Sequence, residues 1–371
     1  MHVPTRNALA VLAHSAPTAG RTAIVLLNIG TPDAPTVPAV RRYLREFLSD
    51  PRVLDINALA RWLLLRLVIL PFRSPKSAAM YRTVWTERGS PLLVHSRDLA
   101  DKLRERFRDP SDCVFVAMRY GTPALKDVVQ EISRGGFSRV ALVPLFPQYA
   151  SASTGSALAE AYRLLGRLAR VPDVTVVPPF FLDAGFIKNI ASTIREVTNA
   201  KAIDHVLFSY HSIPVHHVQK IHATCMNQDA CCATLGAHNA DCYRAQCQAT
   251  TAAVIASLAR EGAPPRFSTS YQSRLGRAAW LTPNTEHVLD ELAKNGVKRL
   301  AVVCPSFVAD CLETLEEIGV RARARFLAAG GEELVAIPCV NASDGFVDTV
   351  TDLVRDALGR RAPQGTSHER R

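Results

Sequence analysis

The chain has 371 residues, with 44 Lys+Arg against 34 Asp+Glu and a formal net charge of +10. That is enough length for two or three domains with sizeable cores. With 48% hydrophobic and 21% charged residues, the composition excludes a disordered or fibrous protein. No apolar run reaches the roughly twenty residues that span a bilayer, and the short run at residues 8–13 is no secretory signal, so a cytoplasmic location is expected. The basic balance favours an acidic partner, but no basic run with interleaved aromatics points to nucleic acid.

In chain order, residues 1–20 lack periodicity and are expected to be mobile. The first β-rich run, residues 23–29, ends in Asn28-Ile29-Gly30-Thr31-Pro32. Residues 58–72 read ALARWLLLRLVILPF, a helix whose apolar face is interrupted only by Arg61 and Arg66. Such a helix either lies on a membrane surface, with Trp62 at the headgroup boundary and the arginines at phosphates, or packs in the core. Further strands are expected at 113–118, 140–146, 174–180, 205–209, 266–271, 300–304 and 334–338, separated by helical stretches. The alternation predicts an α/β protein with parallel sheets. The expected organisation is two doubly wound, Rossmann-like domains, residues 21–171 and 172–335. A strand and helix at 336–359 return to the first domain, and 360–371 form a mobile tail.

In open α/β sheets ligands bind at the carboxyl ends of the strands. Here those ends carry Gly30-Thr31-Pro32, Tyr120-Gly121-Thr122-Pro123, Gln148-Tyr149-Ala150-Ser151 and Tyr210-His211-Ser212. None is a GxGxxG or Walker loop, so no nucleotide cofactor is indicated. His211 stands where an imidazole can take a proton near neutral pH. After the 300–304 strand come Asp310, Glu313, Glu316 and Glu317. Glu313 and Glu317, four residues apart, share a helical face suited to a cation or to protons, although a solvated acidic helix has the same pattern.

Together these segments resemble the ferrochelatase family. The resemblance rests on LLNIGTP, the FRSPK, YR and GSPL block, MRYGTP, PLFPQYASASTGS, FSYHSIP, SYQSRLGRAAWLTP and CPSFVADCLETLEEIG, in that order between Leu26 and about Asn341. It implies a class II chelatase fold with a porphyrin cleft between the two domains. The implied reaction is insertion of Fe(II) into protoporphyrin IX to give protohaem with release of two protons. The alternatives are coproporphyrin III as acceptor, or a related class II chelatase. By position, His211 resembles the family's active-site histidine and Glu313 the carboxylate facing it, with Glu317 beside it on the path of protons or metal. The same pair, His211 and Glu313, is implied for contact with the iron substrate. Tyr120, Tyr149, Ser151 and Trp280 resemble residues that hold the macrocycle, and Arg73 and Ser153 ones near its propionates. The resemblance also places the 58–72 helix at a membrane-facing lip, implying peripheral contact with an anionic membrane. Cys311 departs from the pattern, occupying a position that is His in animal-type sequences, and a thiol is a poor replacement for an imidazole base. The oligomeric state is left open.

Five of the nine cysteines, Cys225, Cys231, Cys232, Cys242 and Cys247, fall between residues 225 and 247. In a reducing compartment such a cluster suggests a metal group before disulfides. Four thiolates suffice for a two-iron two-sulfur cluster or for structural zinc. Some bacterial members of the resembled family hold a two-iron two-sulfur (2Fe-2S) cluster on an internal segment of this kind. Because adjacent cysteines can hardly both serve, the expected ligands are Cys225, Cys232, Cys242 and Cys247.

Overall fold

The computed structural model describes residues 20–223, 225, 229–274, 276 and 278–360. The mobility expected of residues 1–19 and 361–371 lies outside them. Eight strands form where expected: β1 Thr22–Thr31, β2 Asp112–Gly121, β3 Arg139–Pro144, β4 Asp173–Val176, β5 His205–His211, β6 Phe267–Gln272, β7 Arg299–Val303 and β8 Glu333–Ala336. They make two four-stranded sheets, ordered β2-β1-β3-β4 and β6-β5-β7-β8, with every neighbouring pair parallel. The central strands β1 and β5 are buried along almost their whole length. A parallel sheet covered by helices on both faces requires this, and it explains why these runs are continuously apolar rather than alternating.

Several boundaries differ from expectation. β3 and β4 stop at Pro144 and Val176, short of residues 146 and 180, because Pro147, Pro178 and Pro179 carry no backbone N–H for a ladder. A division at 171/172 assigns β4 to the second domain, yet β4 pairs with β3, Leu142 opposite Val176; the first sheet closes only after Val176. Of the segment 336–359 only the helix returns to the first half. β8 pairs with β7 in the second sheet, while the helix Asp344–Ala357 packs against Pro91–Arg106 and Ala184–Ala200. Arg360, expected in the tail, is tied to β1 and β2 through Asp112 at 2.6 Å and Thr22 Oγ1 at 2.9 Å.

The two halves share a core. One buried cluster joins Ile24 and Leu26 of the first sheet, Val206 and Phe208 of the second, and Phe186 and Phe346 of the bridging helices. The apolar segment at 58–72 is outside it. It runs as helix Ala58–Leu64, a wider π-helical turn Leu65–Ile69, and helix Leu70–Val84, with Asn57 capping the start by accepting from the Leu59 amide at 2.9 Å. Only Leu65 and Leu70 of its large apolar side chains are buried, whereas Leu59, Leu67 and Phe72 are 65–70% exposed and Trp62 about half. One face of the segment thus packs into a smaller buried cluster with Val40, Tyr43 and Leu44, while the other is exposed. Among the described residues no helix is long and apolar enough to cross a membrane.

Candidate active site

The carboxyl ends of β5, β6 and β7 bring His211, Gln272-Ser273 and Ser306 together. The His211 amide donates to Ser306 Oγ at 3.0 Å and its carbonyl accepts from the Tyr243 hydroxyl at 2.7 Å. Its Nδ1 lies 2.6 Å from the Ser212 carbonyl. A carbonyl only accepts, so Nδ1 is the donor in this contact, and in a neutral ring the lone pair is then on Nε2. Phe307 packs edge-on to the ring.

Near these strand ends runs a second π-helical segment, Glu313–Ala322. Such i→i+5 stretches are rare and concentrate at functional sites, because they widen the helix and release backbone groups. Gln272 Nε2 donates to the Glu313 carbonyl at 2.9 Å. The Glu313 carboxylate lies toward the first half of the molecule, where its charge adds to burial in raising the pKa of Tyr43 and Tyr81. Glu317 is held by Ser273 Oγ and, at 3.0 Å, by Arg321. Burial and then the neighbouring charge of Glu313 push its carboxyl above the usual range, against the opposing influence of Ser273, Arg321 and His211. Glu317 can therefore hold a proton at a pH where a surface carboxyl has lost it. Glu316 pairs with Arg321 at 2.8 Å. Cys311 is buried, and burial followed by the charge of Glu313 raises its thiol pKa well above the ordinary value, so it stays protonated.

The expected macrocycle residues separate. Tyr149 and Ser151 are partly accessible; the Tyr149 amide donates to Gln246 Oε1 at 2.7 Å, and Ser151 Oγ accepts from Arg52 at 3.0 Å. Ser151 opens a third π-helical turn, Ser151–Gly155, in which Ser153 also sits. Trp280 bridges to Pro214 beside the His211 segment. Arg73 is exposed on the apolar lip. Tyr120 is 1% exposed, and its hydroxyl donates to Asp50 Oδ2 at 2.8 Å. Asp50 is absent from the sequence expectations. Arg119 and Ser156 also reach its Oδ2, at 2.7 and 2.5 Å. Burial alone would raise its pKa, but the bonds from Ser156, the Arg52 amide and Tyr120 hold it below the usual carboxylate range. An aspartate before a proline is ordinary turn chemistry, so no sequence signal marked it. Gly30, by contrast, is obligatory. Its φ is +113°, and a Cβ there would lie 1.8 Å from the Tyr120 carbonyl oxygen.

In the cysteine segment Cys225, Cys232, Cys242 and Cys247 are buried in the shared core, and Cys231 is exposed. Cys242 precedes the helix Tyr243–Ala259. A hydrogen bond from the Cys232 thiol, then the amides of Ala245 and Arg244, lower its pKa and favour a thiolate. The buried Arg244 guanidinium points at Cys232 Sγ, 3.7 Å away. His222, whose charge also bears on Cys242, has a buried Nε2 without a partner among the described residues. Burial, above all, raises the thiol pKa of Cys247, so of these cysteines Cys242 at the helix start is the one whose surroundings favour a thiolate.

The sequence profile of the ferrochelatase family matches residues 21–358. The ferrochelatase of Opitutus terrae is 45% identical over 341 residues, covering 91% of this chain and 97% of that protein. That of Coxiella burnetii strain CbuK_Q154 is 41% identical over 337 residues, covering 90% and 93%. The solved cobalt complex of the sirohydrochlorin chelatase SirB from Bacillus subtilis subspecies spizizenii has a TM-score of 0.52 and 10% identity, covering 93% of this chain and 98% of that one.

Proposed function

Because the chain belongs to the ferrochelatase family, and so is a metal chelatase of haem biosynthesis and a lyase, we propose that it inserts Fe(II) into protoporphyrin IX with His211 and Glu313 on opposite sides of the ring. The observation that carries this reading is the 2.6 Å contact between His211 Nδ1 and the Ser212 carbonyl. With Nδ1 donating to the Ser212 carbonyl, Nε2 is the one ring nitrogen free to take a pyrrole proton or to hand over the ion. Two protons must leave as the dication enters. Glu313 supplies negative charge on the metal's path, and Glu317 accepts a proton readily because burial already disfavours its charged form. Tyr149, Ser151 and Trp280 hold the macrocycle, with Arg73 and Ser153 toward its propionates. Asp50 fixes the wall behind them. Anaerobic assay of the full chain with ferrous iron and, separately, protoporphyrin IX and coproporphyrin III tests the reading. Faster turnover of protoporphyrin supports it, and turnover of coproporphyrin alone overturns the choice of substrate.

Two finer features belong to the same proposal. Cys225, Cys232, Cys242 and Cys247 hold a two-iron two-sulfur cluster, supported by their shared burial and the thiolate-favouring start of helix Tyr243–Ala259. Metal insertion moves no electron, so its contribution is to tie down the chain between β5 and β6. The lip at Leu59, Trp62, Leu67 and Phe72 rests on an anionic membrane surface, supported by its exposed apolar face and by Arg61, Arg66 and Arg73 along the same segment.

A further inference from the structure

Away from His211 and Glu313, a second group of metal-ligating side chains comes together from distant parts of the chain. Asp55 lies in the loop that leads into the apolar lip, and His216 and His217 lie in the short helix Val215–Gln219 that follows β5. One carboxylate oxygen and one nitrogen of each imidazole all lie within 4.8 Å of one another. His216 Nε2 is 3.5 Å from Asp55 Oδ2. The two rings meet edge to face with centroids 4.6 Å apart. The loop is itself held, since Arg61 Nη1 donates to the carbonyls of Leu54 at 3.3 Å and Ile56 at 3.0 Å.

We propose that Asp55, His216 and His217 form a second divalent transition-metal site, which staples the loop before the lip to the segment just after the active-site histidine. Two imidazoles and a carboxylate are the donor set that borderline first-row ions such as Zn(II), Co(II) and Fe(II) prefer, with a fourth position left to water. Metal–ligand bonds of about 2.1 Å put tetrahedral ligands roughly 3.4 Å apart, so side-chain rotation alone closes the group. His216 is half-exposed. His217 is buried, which holds its ring in place beside Asp55 and His216. Without a metal the carboxylate is held by the ammonium of Lys220, which competes with the ion.

The test is equilibrium dialysis and visible spectroscopy of the full chain with Co(II) alone, under anaerobic conditions. Wild type should bind one more equivalent than His216→Ala, His217→Gln or Asp55→Asn, and the d–d bands of that equivalent should vanish in each. The same difference should persist in a His211→Ala, Glu313→Gln background, which separates this site from the proposed catalytic pair. Lys220→Gln should tighten cobalt binding roughly two- to five-fold by removing the competing ammonium. Because the side chain of His216 is 44% exposed, its variant keeps the fold, which an unchanged circular dichroism melt verifies. Equal cobalt stoichiometry and spectra in wild type and folded His216→Ala overturn the proposal, leaving Asp55 with no more than its bond to Lys220.

Discussion

At residue scale the site separates two kinds of titrating group. His211 is oriented by neutral partners, Ser212, Ser306 and Tyr243, so its removal takes away a proton acceptor without exposing a buried charge. His211→Ala should therefore keep porphyrin binding, followed by fluorescence quenching, while turnover falls at least about a hundredfold, the usual scale of general acid–base assistance. Near-normal turnover would reassign the role. Glu317 is different, because burial opposes its charge. Its folded pKa is raised, so the native state binds the proton more tightly than the unfolded chain. The cost is absent below the unfolded carboxyl pKa, grows as pH rises through the interval up to the raised folded value, and is constant above it. Glu317→Gln should accordingly raise Tm at pH 8 and leave it unchanged near pH 3. A variant that melts lower than wild type at pH 8 would show that the bonds from Ser273 and Arg321 outweigh burial.

At the scale of elements, the π-helical segment Glu313–Ala322 and the cysteine segment each depart from regular structure. In the first, Gln272 donates from outside the helix to the Glu313 carbonyl. For the second, protein purified without oxygen should be reddish brown, and single Ser substitutions of Cys225, Cys232, Cys242 or Cys247 should bleach it. Exposed Cys231→Ser should not. A colourless wild type that binds stoichiometric zinc would replace the cluster by a zinc site. The lip helix makes an equally direct prediction. Leu67 and Phe72 are exposed, so their joint replacement by Asp should leave the melting temperature intact and weaken sedimentation with phosphatidylglycerol vesicles at least about tenfold, since each buried large apolar side chain contributes roughly 2 kcal/mol. Unchanged vesicle binding would remove the lip from any membrane contact.

For the whole molecule the shared core is decisive. Phe346, fully buried, touches Phe180 and Phe186 where the final helix crosses from the second half to the first. Phe346→Ala should cost about 3–5 kcal/mol, and calorimetry should show one transition shifted to lower temperature. Two resolved transitions, only one of them shifted, would mean that the halves unfold independently.

The sequence alone determined the eight strands, their parallel order and the strand-end position of His211, because local apolar periodicity and turn chemistry are written in contiguous residues. Motif order likewise carried the family and the residues Glu313 and Glu317. Tertiary structure alone decided what depends on separation in space. It moved β4 into the first sheet through pairing with β3 and turned Tyr120 inward onto Asp50. It buried Cys232 and left Cys231 exposed, and it brought Asp55 to His216 and His217 across more than 150 residues of chain. Pairing partners, burial and the meeting of distant side chains are properties of the packed whole, and no periodicity within a single segment encodes them.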